Sequence, residues 1–128
     1  MKQILLTIAA AAVALSASAA APAQNLEGRW TNSKHSVIVN VSRCGDAFCG
    51  VVSWATPHNR NEGATPGTRV LSELRPDGKG VYKGKAYEPK RGINGSATVR
   101  QAGPDTMLVK GCTFLGIICK EQRWTRVN

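Results

Sequence analysis

The chain has 128 residues, with 17 Lys and Arg against 8 Asp and Glu, for a formal net charge of +9. That length suits one domain. A positive excess of this size favours contact with anionic surfaces.

The chain opens MKQILLTIAAAAVALSASAAAPAQ. Lys2 supplies a positive start, Ile4 to Leu15 an apolar run, and Ala21-Pro22-Ala23 a small-residue ending. These are the three parts of a secretory signal peptide, with cleavage expected after Ala23 and Ala19 as the second position. The apolar run is about a dozen residues, short for the roughly 20 a membrane span needs, so no transmembrane anchor is expected. No cysteine follows it for lipid attachment. The expected domain is residues 24–128, exported to the periplasm or secreted. Export argues against nucleic acid as the partner. The anionic partners outside the cytoplasm are phosphate-bearing lipids, acidic polysaccharides and acidic proteins. Basic residues are densest in KGVYKGKAYEPKR at 79–91, which nominates Lys83, Lys85, Lys90 and Arg91 as anion contacts. The alternative is a solvated charged face with no partner.

Beyond residue 24 short β-prone runs alternate with turn clusters, which predicts an all-β domain. The runs are 28–31, 36–43, 49–55, 69–74, 80–87, 95–101, 106–111 and 119–127. The breakers include TNSKH, TPHNRNEGATPG, RPDGKG and QAGPD. The longest breaker, 56–67, is expected to be a mobile loop over a cavity mouth. About eight short strands predict a small antiparallel β-barrel, closed or nearly so, or else a sandwich. Closure removes the exposed edges of an open sheet.

Four cysteines, an even number, lie in the exported part: RCGDAFCG at 43–50 and CTFLGIIC at 112–119. An oxidising compartment favours disulfides. If Cys44 pairs directly opposite Cys49, Val41 faces Val52 and Val39 faces Trp54 on an apolar side. Ser42–Val51 and Asn40–Ser53 then fall on the polar side with the cysteines. If Cys112 pairs opposite Cys119, Lys110 faces Glu121 and Thr106 faces Thr125, with Met107–Trp124 and Val109–Gln122 on the other side. Both registers favour local bridges, 44–49 and 112–119. Crossed bridges, a four-thiolate zinc site and a redox pair are the competing readings. The two-residue spacing of redox motifs is absent.

His35 and His58 sit in apparent turns, where surface positions are the rule. Asp46, Asp77 and Asp105 sit in turns as well, where short acids bond the local backbone. No G-x-S-x-G motif is present. The sequence therefore nominates no catalytic residue, no metal ligand and no cofactor.

GRW at 28–30 on the first strand and a basic residue on the last resemble the calycin barrels, lipocalins among them. That resemblance implies a Trp closing one end of the barrel under a late Arg. Trp30, Trp124 and Arg126 would form this plug, with Arg126 stacked on Trp30. More closely, GRW, RCGDAFCGVV, YEP and VKGC…QRWTRV, in that order, resemble the bacterial secreted family catalogued as domain of unknown function 2147. In that family the middle segment carries a Trp before a Gly-rich turn and then YDP. Here Tyr82 and Glu88 take the Trp and Asp places. The family implies a calycin-like barrel and transfers no catalytic residue.

The functional expectation is a monomeric barrel, plugged at one end and open at the other. It would hold a small apolar or amphipathic ligand against Val39, Val41, Val52, Trp54, Tyr82 and Met107. The alternatives are an interior filled by its own side chains, and a basic module docking on an anionic envelope component or protein.

Overall fold

The computed structural model of the protein describes residues 25–113 and 116–128. The segment expected to be a signal peptide, 1–23, lies outside the described residues. Eight strands follow in chain order: β1 Gly28–Thr31, β2 Val37–Cys44, β3 Ala47–Ala55, β4 Arg69–Pro76, β5 Val81–Glu88, β6 Ile93–Gln101, β7 Thr106–Thr113 and β8 Ile118–Val127. Each pairs antiparallel with the next, and β8 returns to β1, so the sheet closes into a barrel. Closure settles barrel against sandwich. No helix among the described residues is long and apolar enough to cross a membrane.

The 56–67 segment differs from the mobile loop expected of it. It contains a one-turn helix, α1, Pro57–Asn61. Pro57 sits where a helix needs no backbone donor, and Thr56 caps by accepting from the Asn59 N–H at 3.3 Å. Arg60 donates to the Ala55 carbonyl at 2.9 Å, and Asn59 to the Ser36 carbonyl at 3.4 Å. These bonds tie the segment to the barrel rim.

Alternation along the strands fills one half of the barrel. Leu26, Trp30, Val41, Phe48, Leu74, Val99 and Met107 are buried together. The Phe48 and Tyr82 rings meet edge to face with centroids 5.7 Å apart. On β7 and β8 the expected register holds at every position: Cys112 opposite Cys119, Lys110 opposite Glu121, Val109 opposite Gln122, Met107 opposite Trp124, Thr106 opposite Thr125. The ladder there is regular, so counting outward from the cysteines works.

On β2 and β3 it does not. Cys44 stands opposite Ala47 and Ser42 opposite Cys49, so the bridge runs diagonally. Gly45 and Asp46 close the hairpin as a two-residue turn, with Gly45 at φ +74. Such turns favour a left-handed first residue, which glycine adopts without steric penalty. Val41 therefore faces Gly50, and Val39 faces Val52. A bulge between Ile38 and Val39 then places Trp54 opposite Ile38. One extra residue reverses the alternation. Trp54 turns outward and is 44% exposed, against the inward position expected of it.

Both local disulfides are present, with Cα–Cα distances of 5.9 Å for Cys44–Cys49 and 4.1 Å for Cys112–Cys119. Each closes a short loop, so each stabilises by about 2 kcal/mol in the chain-entropy view. The Cys112→Ser/Cys119→Ser variant is expected to lose about that much in a urea titration and to keep the barrel's far-UV spectrum.

β4 is also irregular between Ser72 and Arg75. Glu73 lies in it at φ +53, and its carboxylate meets the Lys85 ammonium at 2.9 Å. The hydrogen bond from Lys85, and then its charge, hold the Glu73 carboxyl below its ordinary range. The stability this pair contributes is present above the ordinary carboxylate pKa. It is lost as pH falls through the lowered folded value. Lys85→Met is expected to raise the Glu73 titration midpoint toward the usual range, as followed by carboxyl NMR.

Candidate functional site

The two ends of the barrel are built differently. At one end Trp30 is fully buried, and its indole N–H donates to the Leu26 carbonyl at 2.9 Å. The Arg126 guanidinium lies 4.3 Å over the Trp30 ring centroid. Its Nη1 donates to the Glu27 carbonyl at 2.7 Å, Nη2 to the Asn25 carbonyl at 3.0 Å and Nε to the Pro104 carbonyl at 3.1 Å. A single planar fork thereby fastens the last strand to the segment before β1 and to the β6–β7 turn. Gly28 makes this possible. At φ +134, a Cβ there would sit 2.5 Å from Arg126 Nη1. The spacing in G-x-W thus has a steric cause: glycine admits the guanidinium that covers the Trp.

The other end is open. A cavity of about 910 Å³ enters the barrel between the β1–β2, β3–β4, β5–β6 and β7–β8 connections. This lies near the top of the range of about 300–1,000 Å³ for small-molecule sites. Val39, Val52, Leu71, Val109 and Trp124 are buried side chains that line it, forming an apolar floor. Val37, Val70 and Ala86 form apolar wall. Gln122 stands on the wall and accepts the Trp124 indole N–H at 3.0 Å. Lys34, Glu62, Glu88, Lys90, Arg91 and Lys120 bring charge to the mouth. Most of it is internally matched. Glu62 meets Lys90 at 3.7 Å and His58 at 3.3 Å, and Glu88 meets Arg91 at 3.6 Å.

Small residues form part of the inner wall. Ala86, Gly95 and Gly111 point inward on β5, β6 and β7. A Cβ on Gly95 would run into the Cys112 carbonyl oxygen, and one on Gly111 would lie 3.7 Å from the Ala86 Cβ. Glycine at 95 lets β6 close up on β7, whereas a Cβ at 111 would make only ordinary contact.

The residues nominated from the sequence divide accordingly. Val39 and Val52 line the cup. Val41, Met107 and Tyr82 belong to the packed half beneath it, so the filled-interior reading describes that half. Trp54 is outside. Trp30 and Arg126 form the stacked plug, whereas Trp124 sits at the cup floor, away from it. Leu71 and Val109 escaped nomination, although Val109 shares strand parity with Met107. Lys83, Lys85, Lys90 and Arg91 are all exposed, and each has a carboxylate neighbour, at 3.2, 2.9, 3.7 and 3.6 Å respectively. Among the described residues no group of three or more His, Cys, Asp or Glu side chains could hold a metal.

The sequence profile of the family described as "Uncharacterized protein conserved in bacteria (DUF2147)" matches residues 28–126. The chain belongs to that family. The match begins at Gly28 and ends at Arg126, so it runs from one partner of the plug to the other. This member of the DUF2147 family is a closed eight-stranded antiparallel barrel with two disulfides. No curated protein and no solved structure matches the chain.

Proposed function

We propose that the protein is an exported binder of a small amphipathic molecule, which the cup holds with its apolar part against Val39, Val52, Leu71, Val109 and Trp124. The cup itself carries the reading: a cavity of about 910 Å³ with an apolar floor and a charged mouth, above a packed and plugged half. The inner wall beside the cavity carries the small residues Ala86, Gly95 and Gly111, which leave the space above the floor unfilled. Export is supported by the leader-like opening and by two disulfides, which persist in oxidising compartments. The site is suited to binding rather than to chemistry. Its floor carries no titratable group, and its charged groups lie at the mouth.

The test is titration of an anilinonaphthalene-type dye, read by energy transfer from tryptophan, Trp124 being nearest the cup. Saturable one-to-one binding is expected. Gln122→Phe sets a ring across the wall and is expected to weaken the dye by about tenfold, by occluding the site that an apolar group of this size would fill. Wild type and variant binding the dye equally would sink the proposal.

The basic-module reading has less in its favour. The four cations nominated for it each lie beside a carboxylate, and the pairing reduces the charge they offer a partner.

A further inference from the structure

The ribbon formed by the far ends of β7 and β8 is unlike the rest of the barrel. On β6, residues 97, 99 and 101 are buried in alternation, and on β7 residues 107 and 109. On β8, every residue from Ile118 to Arg123 is exposed. The reason is topological. β1 is only four residues long and pairs with β8 only at Thr125–Val127. Beyond that point β8 has β7 on one side and no strand on the other, so one edge of the ribbon is unpaired.

Its end is apolar. Ile117 is 81% exposed and Ile118 56% exposed. Apart from Trp54 they are the exposed large hydrophobics among the described residues. The Cys112–Cys119 bridge ties the strands immediately behind them. Behind the apolar end the ribbon is basic. Lys120 is two residues from Ile118, a rise of about 7 Å, and Lys110 and Arg123 follow on the two strands. None of these three cations forms an ion pair among the described residues, and Glu121 is the only acid on this stretch of ribbon.

We propose that this ribbon docks on an anionic lipid bilayer, with Ile117 and Ile118 entering the headgroup–acyl boundary and Lys120, Lys110 and Arg123 contacting lipid phosphates. The order of groups along the ribbon matches the order of layers in the membrane. Interfacial segments bury their apolar groups about 5–10 Å deep, which leaves Lys120 at headgroup level. Juxtamembrane cations add attraction to an anionic leaflet. The chain's net charge of +9 acts in the same direction. Cys119 and Ile118 also border the cup, so docking sets the cup mouth against the bilayer. The surface does not depend on the cup having a ligand.

Residues 24–128, which hold all eight barrel strands and both disulfides, are floated with vesicles of phosphatidylcholine alone or with about a third phosphatidylglycerol. Partition into the anionic vesicles is expected to exceed that into neutral ones by about tenfold or more. Ile117→Ser/Ile118→Ser is expected to lower it by about tenfold or more, with the barrel's far-UV spectrum unchanged. Separately, Ile117→Trp places a fluorophore at the tip, and its emission should move to the blue on anionic vesicles. Undiminished partition of the double variant, or unshifted tip emission in the bound fraction, overturns the proposal. So does a concentration-dependent dimer that the double variant abolishes while lipid binding stays the same. That outcome would assign the tip to a second copy of the chain.

Discussion

Arg126→Met is expected to cost the barrel about 3 kcal/mol and to loosen its closed end first. The guanidinium makes three hydrogen bonds to backbone carbonyls and stacks on Trp30. A cation–π contact contributes about 0.5–2 kcal/mol, and a hydrogen bond to a charged group about 1.5–3 kcal/mol. The full sum is not lost, because Pro104, Glu27 and Asn25 are near enough to solvent for their carbonyls to find water. Arg126→Lys keeps the charge but has no planar fork to reach three carbonyls at once, so its loss should be intermediate. Urea titration orders the three proteins. A methionine variant as stable as wild type would show that the plug is incidental to the fold.

Gly95→Ala is expected to be about as costly, roughly 3 kcal/mol, for the opposite reason. Here a group is added where backbone already stands. The new Cβ meets the Cys112 carbonyl oxygen, with the Cys112 carbonyl carbon 3.0 Å away. A side chain can rotate away from such a contact, but backbone cannot. β6 and β7 must part over the ladder that joins Ser96 to Cys112 and Ala97 to Gly111. Thermal unfolding is expected to fall by more than about 10 °C for a domain of this size. Ser96→Ala, the outward-facing neighbour, should change it little.

These two sites differ in how much of them the sequence exposes. The plug is legible: a glycine two residues before a tryptophan, and an arginine at the right parity at the chain's other end. Gly95 is not, since nothing near it in sequence announces that Cys112 will lie against it. The registers teach the same lesson. β7–β8 follows from its cysteines because the ladder has no bulge. β2–β3 fails because a disulfide can be diagonal as well as direct, and because a bulge beside Val39 reverses everything beyond it. Trp54 looks inward on the pattern and is outward in fact. The β4 bulge is less visible still, since its left-handed residue is Glu73 rather than glycine. The cup was only half legible. Its floor residues follow strand parity, but inward parity does not tell a filled interior from an open one, and the wall beside the cavity carries the small residues Ala86, Gly95 and Gly111.

The central claim, that the cup is a binding site, is tested most directly by methyl NMR during titration with the amphipathic dye. Saturable shifts are expected at Val39, Val52, Leu71 and Val109, which line the cavity. Smaller ones are expected at Val41, Leu74 and Val99 in the packed half. Shifts confined to the outer face around Lys83 and Lys85, or none at all at saturating dye, would contradict the account.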